Sequence, residues 1–324
     1  MFNNTTCKRI VNKMKQITNN IMMIKPVSFR YNEQTVVNNY YQKVLNNLTS
    51  SQIQEKALVE FNDFVSKLEN AGVNVIVIED TKEPETPDSI FPNNWVSFHN
   101  DGTVCLYPMY AENRRDEKRE DIFDILVDDY RFHIDGIKDL TEFEEHDKYL
   151  EGTGSMVLDR ENKICYAAIS IRTDEVAVMQ FCEAFGYSPV CFIANQDVNG
   201  ERMAIYHTNV MMCVADQFVV ICLDSIDNEI EKENVIKNLV ESSKEIIEIS
   251  EEQKNRFAGN MLQLIGDKPY LVMSNSAYSS LTENQIRTIE KHCPIIHTSL
   301  DTIEACGGGS ARCMMAEIFL PIKQ

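Results

Sequence analysis

The chain has 324 residues, 44% of them hydrophobic and 25% charged, the balance of a water-soluble globular protein. Its formal net charge of −19 and pI near 4.8 create a field that repels a phosphate backbone, which argues against nucleic acid as a partner. No apolar run reaches the roughly 18 residues that a membrane span needs, so no membrane partner is expected either.

The first stretch, "MFNNTTCKRIVNKMKQITNN", has no apolar core of signal-peptide length. It reads as a loosely held polar extension over residues 1–20, leaving residues 21–324 as a single domain. A strand is expected in "NIMMIKPVSF", helical stretches from about 33 to 70, and a strand in "VNVIVIE". Four stretches then follow one grammar, starting at Asn94, Glu151, His207 and Asn260. Each reads as a polar residue, a strand, a tight turn, a strand, a loop, an amphipathic helix and a strand. The turns carry chain-bending residues: Asn100-Asp101-Gly102, Glu161-Asn162, Ala215-Asp216 and Gly266-Asp267. Helices begin after capping residues, as at Thr173-Asp174 and Thr282-Glu283. Most of the ten cysteines stand singly in apolar runs, among them Cys105, Cys165, Cys213 and Cys222, and no C-x-x-C occurs. This usage points to a reduced, cytoplasmic protein without a zinc ribbon; no metal or cofactor is called for.

The four starting points are 57, 56 and 53 residues apart, and a further 53 lead to Cys313. That cysteine therefore opens a fifth unit, whose strand "CMMAEIFLPI" must be completed by the strands and helix near the N-terminus. A chain whose last unit draws on both of its ends predicts a closed ring, which removes exposed sheet edges. The expected fold is α/β, a five-bladed β/α propeller of ββαβ repeats with helices outside. Asn94, Glu151, His207, Asn260 and Cys313 would then converge on one face near the axis. Three of them are a carboxylate, an imidazole and a thiol.

The segments around these positions resemble those of the guanidine-modifying, or amidinotransferase, superfamily. "SARCMMAEIF" is similar to the arginine deiminase nucleophile segment, "LEGTGSMVLDR" to its glutamate-glycine segment, "YHTNVMM" to its histidine segment, and "SIRTD" to the Arg-Thr of dimethylarginine hydrolases. More narrowly, "FPNNW" with "CGGGSARCMMAEIF" resembles the bacterial citrulline-utilisation hydrolases. The resemblance spans about residues 21 to 322. It implies the five-bladed fold and a cofactor-free hydrolase of a carbon–nitrogen bond.

On this reading Cys313 is the nucleophile, its thiolate suited to an amidine or ureido carbon. The glycines 307 to 309 would permit close approach, and Arg312 would favour the thiolate unless its side chain points to the other face. His207 would carry protons between thiol, leaving amine and water. Glu151 would accept hydrogen bonds from substrate N–H groups. Asn94 departs from the aspartate general in the superfamily, and Asn209 from a second one. With Asn93 they offer neutral amides, which can donate to a carbonyl oxygen where a carboxylate cannot. That favours a neutral ureido group, hence citrulline, over a guanidinium, although Asp88 could compensate for the lost acids. Arg172 is the expected clamp for the substrate carboxylate, with Arg114 and Arg115 as alternatives. Cys306, off the repeat position, reads as structural.

The expected partner is thus a small amino acid, and the sequence leaves a homo-oligomer open. The alternatives are an arginine deiminase or dimethylarginine hydrolase and, outside enzymes, a propeller-type ribosome-binding factor that would need no thiol, imidazole and acid in repeat phase.

Overall fold

The computed structural model describes residues 15–323. The stretch beginning at Glu151 shows how one unit is built. Val157–Asp159 pairs antiparallel with Ile164–Ala168, which runs parallel to Ser188–Phe192. The middle strand is buried over Cys165 to Ala168, as its unbroken apolar run requires. The helix Glu175–Phe185 makes the crossover. Asp174 caps its start by accepting from the Val176 and Ala177 amides, and Gly186 ends it at φ 68°, a left-handed conformation suited to glycine.

The same order recurs. Val96–Phe98, Thr103–Leu106 and Gly136–Asp139 form one sheet; Met212–Val214, Phe218–Ile221 and Glu245–Glu248 a second; Leu262–Ile265, Pro269–Ser274 and Ile295–Thr298 a third. In each, the first two strands are antiparallel and the last two parallel. The remaining three-stranded sheet draws on both ends of the described chain. Asn20–Lys25 pairs antiparallel with Ala316–Glu317, in the register Ile21 to Glu317 and Met22 to Ala316, and parallel with Asn74–Glu79. Its crossover helix Ser50–Asn70 buries Ile53, Ala57, Phe61, Phe64, Val65 and Leu68, a stripe at three- and four-residue steps. At about 1.5–3 kcal/mol per fully buried large apolar side chain, this stripe holds the helix against its sheet.

Three expectations need correction. Residues 16–18 are buried and do not belong to the loose extension expected over residues 1–20, and residues 1–14 lie outside the described part. Gln16 is buried, donates to the carbonyls of Leu158 and Val214 at 3.0 Å each, and accepts from the Arg160 amide at 2.7 Å. It stitches the first strands of two units together. Helix does not begin near 33: residues 30–49 are turns and irregular chain, because Asn32, Thr35, Asn39 and Gln42 are buried and spend their hydrogen bonds on tertiary partners. This segment is called the strap below. Third, a hairpin of Asn195–Val198 and Glu201–Ala204 was not foreseen; its turn residues Asn199 and Gly200 both have positive φ, the conformation that an Asn-Gly pair favours.

The fifth sheet is tied to its neighbours by charge. Glu317 Oε2 lies 2.9 Å from Arg312 Nη2 and 3.4 Å from Arg160 Nη2, all three side chains nearly out of solvent. Removing the acid would leave two buried guanidinium groups opposed. Glu317→Ala is expected to cost about 3–5 kcal/mol, read as a lower urea midpoint with an unchanged slope; a midpoint within error of wild type would refute this role.

Candidate active site

The in-phase residues do not open their strands directly, as expected, but sit on short turns just before them. Asn94 ends the turn Pro92–Asn94, Glu151 precedes Gly152–Ser155, His207 precedes Thr208–Val210, and Cys313 lies within Ala311–Met314. Asn260 stands two residues before Leu262–Ile265. None of the five is more than 4% exposed. Glycine lets the turns meet. A Cβ on Gly152 would lie 2.3 Å from the Asn93 carbonyl oxygen, and one on Gly154 would lie 2.4 Å from Asn94 Nδ2 and 2.8 Å from His207 Nδ1.

Glu151 and His207 form the acid–base pair, with His207 Nε2 2.7 Å from Glu151 Oε2. The same oxygen is 3.4 Å from Arg172 Nη1 and 4.0 Å from Arg114 Nη1, while Oε1 accepts from the Tyr110 amide at 3.0 Å. Burial pushes the Glu151 carboxyl up, but Arg172, His207 and Arg114 together outweigh it and hold the acid below the usual carboxylate range. Burial pushes the His207 imidazole down to about 4, against the pull of Glu151. The resting pair is therefore carboxylate and neutral imidazole. Glu151 was expected to receive substrate N–H groups. Its contacts instead make it the partner that orients His207 and would stabilise the imidazolium formed when that ring takes a proton.

Two carboxamides address the thiol of Cys313. The Cys313 sulfur is 3.2 Å from Asn260 Nδ2 and 3.6 Å from Asn209 Nδ2. Asn260 also accepts from the Arg312 amide at 3.0 Å, so it grips the nucleophile's turn at two points. The Arg312 side chain turns away to Glu317 and the Met315 carbonyl. Amide dipoles, not that guanidinium, are the donors nearest the sulfur.

A cavity with about 270 Å³ of non-atom space opens between these groups, lined among others by Asp88, Asn94, Arg172, His207 and Cys313. Asn94 Oδ1 accepts from Arg114 Nη1 at 2.8 Å, and its Nδ2 has no partner. Asp88 Oδ2 accepts from Asn32 Nδ2 at 2.8 Å and Thr35 Oγ1 at 3.1 Å, and its Oδ1 has no partner. The cavity thus presents one unused donor and one unused acceptor. Burial raises the Asp88 carboxyl, partly offset by Arg114.

The remaining expected residues fall differently. Asn93 hydrogen-bonds Thr153 and does not line the cavity. Asn209 serves the sulfur. Arg172 lines the cavity, but its donors go to Asn38, the Thr35 carbonyl and Glu151. Arg115 lies outside, on the Met109 carbonyl and Glu144. Cys306 is buried. Missing from the expected set were Asn260, which the repeat phase marked, and the strap residues Asn32 and Thr35, for which the sequence carries no local sign. Among the described residues, no group of three His, Cys, Asp or Glu is placed to hold a metal ion.

Two outcomes follow. Asn260→Leu keeps the volume and removes the donor; a hydrogen bond to a charged group is worth about 1.5–3 kcal/mol, so Cys313 alkylation by iodoacetamide should slow roughly tenfold or more at neutral pH. An unchanged rate would show that this amide does not support the thiolate. For pH, the His207 value of about 4 lies below the unfolded value near 6.5. Between the two, the unfolded chain binds a proton that the native chain does not, so stability is complete above the upper value and is lost as pH falls through the lower. The loss should be up to about 3 kcal/mol and absent from His207→Gln; parallel pH profiles of urea midpoints for the two proteins would contradict it.

The fold has known counterparts. The family profile of N,N dimethylarginine dimethylhydrolase, eukaryotic, matches residues 25–320. A comparison with curated proteins yields no match. The N-terminal domain of ArgZ bound to substrate, an arginine dihydrolase from the ornithine–ammonia cycle in cyanobacteria, superimposes with a TM-score of 0.71 at 18% identity, over 94% of this chain and 99% of that one. Full-length ArgZ gives 0.71 at 19% identity over 94% of this chain, which spans only 41% of that longer protein. A dimethylarginine dimethylaminohydrolase variant in adduct with S-methyl-L-thiocitrulline gives 0.62 at 16% identity, over 93% of this chain and 100% of that one. Identities this low speak for an α/β propeller-like fold, and the profile match speaks for more: the chain belongs to the N,N-dimethylarginine dimethylhydrolase family, hydrolases that act on carbon–nitrogen bonds.

Proposed function

We propose that this chain hydrolyses citrulline to ornithine, carbon dioxide and ammonia, as a member of the citrulline-utilisation branch acting in the reducing cytoplasm. The five sheets would close as five blades around the cavity, the sheet made from both ends serving as the fifth. Cys313 attacks the ureido carbon as thiolate, its proton passing to His207. The tetrahedral intermediate collapses with cleavage of the bond from the ureido carbon to the side-chain nitrogen. His207 returns its proton to that nitrogen, and ornithine departs. Water then attacks the carbamoyl thioester, again with His207 as base, and the thiolate leaves. The released carbamate breaks down to carbon dioxide and ammonia. Glu151 holds the ring throughout.

The observation that carries this reading is the orientation of Asn94. Arg114 occupies its oxygen, so the amide nitrogen is the end left for a ligand. A ureido oxygen can accept from it; a guanidinium has no acceptor. Charged hydrogen bonds are worth about 1.5–3 kcal/mol each, so replacing acids by amides weighs against a guanidinium by factors of tens or more.

A second reading, hydrolysis of arginine or a methylated arginine, is favoured by the free Asp88 oxygen, an acceptor for substrate N–H, and by the activities named for the relatives. Pure protein incubated with citrulline, arginine and dimethylarginine should release ornithine from citrulline fastest. Asn94→Asp should lower citrulline turnover at least a hundredfold. Citrulline accumulating from arginine, with no ornithine from citrulline, would establish the second reading instead.

A further inference from the structure

A second cavity, with about 1160 Å³ of non-atom space against about 270 Å³ in the catalytic one, lies on the other side of the strap. Tyr41 lines it, and Tyr206 lines the catalytic cavity. The two rings meet edge to face at 6.3 Å and form a shared wall. The polar content of this second space is unusual for a protein of net charge −19. Behind the lining residues Gln196 and Tyr41 stands Lys254, 0% exposed, hydrogen-bonded to Gln196 Oε1 at 3.1 Å and Tyr41 Oη at 3.4 Å, with no carboxylate in ion-pair range among the described residues. Burial pushes its ammonium down to about 8. Gln196 lines the cavity and is 3% exposed, and its Nε2 has no partner. Arg256 and Lys43 stand on the same lining and also lack an acidic partner among the described residues; Arg256 reaches only the Ser276 hydroxyl. Against these donors, Asp197 and Asp301 present exposed carboxylates on the lining.

Desolvated donors left without acceptors are costly, and a ligand that supplies the acceptor removes the cost. Asp197 accepts from the Gly200 amide and Asp301 from the Ser299 hydroxyl, but neither has a cationic partner among the described residues, and a space offering such carboxylates beside Arg256, Lys43 and the unpartnered Gln196 Nε2 matches a ligand bearing both charges. We propose that this cavity is a second ligand site that takes a small amino-acid zwitterion, its carboxylate toward Gln196 Nε2 and Arg256 and its ammonium toward Asp197 and Asp301. The site is distinct from the catalytic cavity, and the assignment holds whichever substrate that cavity takes. Its occupant would also bear on catalysis. Tyr41 belongs to the strap, whose Thr35 and Asn38 hold Asp88 and Arg172. Glu304, another lining residue, accepts from Ser310 at 2.6 Å, three residues before the nucleophile. A ligand that holds Tyr41 would therefore steady the strap in the position where it holds Asp88 and Arg172.

The test is calorimetric titration of the full chain with L-ornithine, L-glutamate and L-alanine, and with succinate as a dianion lacking the ammonium. At least one amino acid should reveal a second class of sites, giving two per chain or one that persists when Cys313 is alkylated. Arg256→Ala, at an exposed position where folding is not at stake, and Gln196→Leu should each weaken that class tenfold or more and leave citrulline turnover without effector within twofold. No second class with any of the three amino acids would overturn the proposal, as would a second class untouched by both variants. Succinate binding as tightly as the best amino acid would overturn the zwitterion assignment.

Discussion

Glu151 has no exposed surface, yet its carboxylate is ionised, and a bare charge at such depth would be untenable. Beside the Tyr110 amide, three side chains compensate it, and each arranges another part of the site. His207 is thereby fixed in ring orientation. Arg172 reaches from the acid to Asn38 and the Thr35 carbonyl, so the strap is held against the cavity. Arg114 stands 4.0 Å off and is pinned by Glu117 on one side while it holds the Asn94 oxygen on the other. The carboxylate thus ties the imidazole, the strap and, through Arg114, the Asn94 amide to one point.

This arrangement also explains why an asparagine at position 94 is more than a weakened acid. A free carboxamide can present either end. With Arg114 against its oxygen, Asn94 presents nitrogen, and the cavity gains a donor of fixed direction. An aspartate in the same place would satisfy Arg114 equally well and present a second oxygen, turning the same cavity into one built for cations. Around the sulfur, Asn209 and Asn260 likewise supply partial rather than full charges. The ligand-facing and sulfur-facing polarity is set largely by amides, within a shell of buried ions.

The repeat was legible because each unit must bury the same middle strand and turn at the same places, so spacings of 57, 56, 53 and 53 residues survive in the sequence. That phase alone located Cys313, His207, Glu151, Asn94 and Asn260. What it could not give was direction. Glu151 reads the same whether it faces a substrate or an imidazole, and Arg172 the same whether it clamps a ligand or a strap. Gln16 and the strap residues escaped for a related reason: polar side chains in an irregular stretch carry no periodicity, and their burial is decided by partners over a hundred positions away in the chain, as between Gln16 and Leu158 or Asn39 and Gly307. The hairpin at Asn199-Gly200 did announce itself locally and was simply not read.

The pairing of Asn20–Lys25 with Ala316–Glu317 has a consequence in time as well as space. Four of the three-stranded sheets have all their strands by residue 298, while the sheet behind Cys313 waits for residue 317. On the ribosome, which delivers the chain from its N-terminus, the bulk of the molecule can form before its reactive sulfur exists. The thiol of Cys313 then emerges into a nearly finished pocket, whose lining is complete only once two remote segments have zipped together.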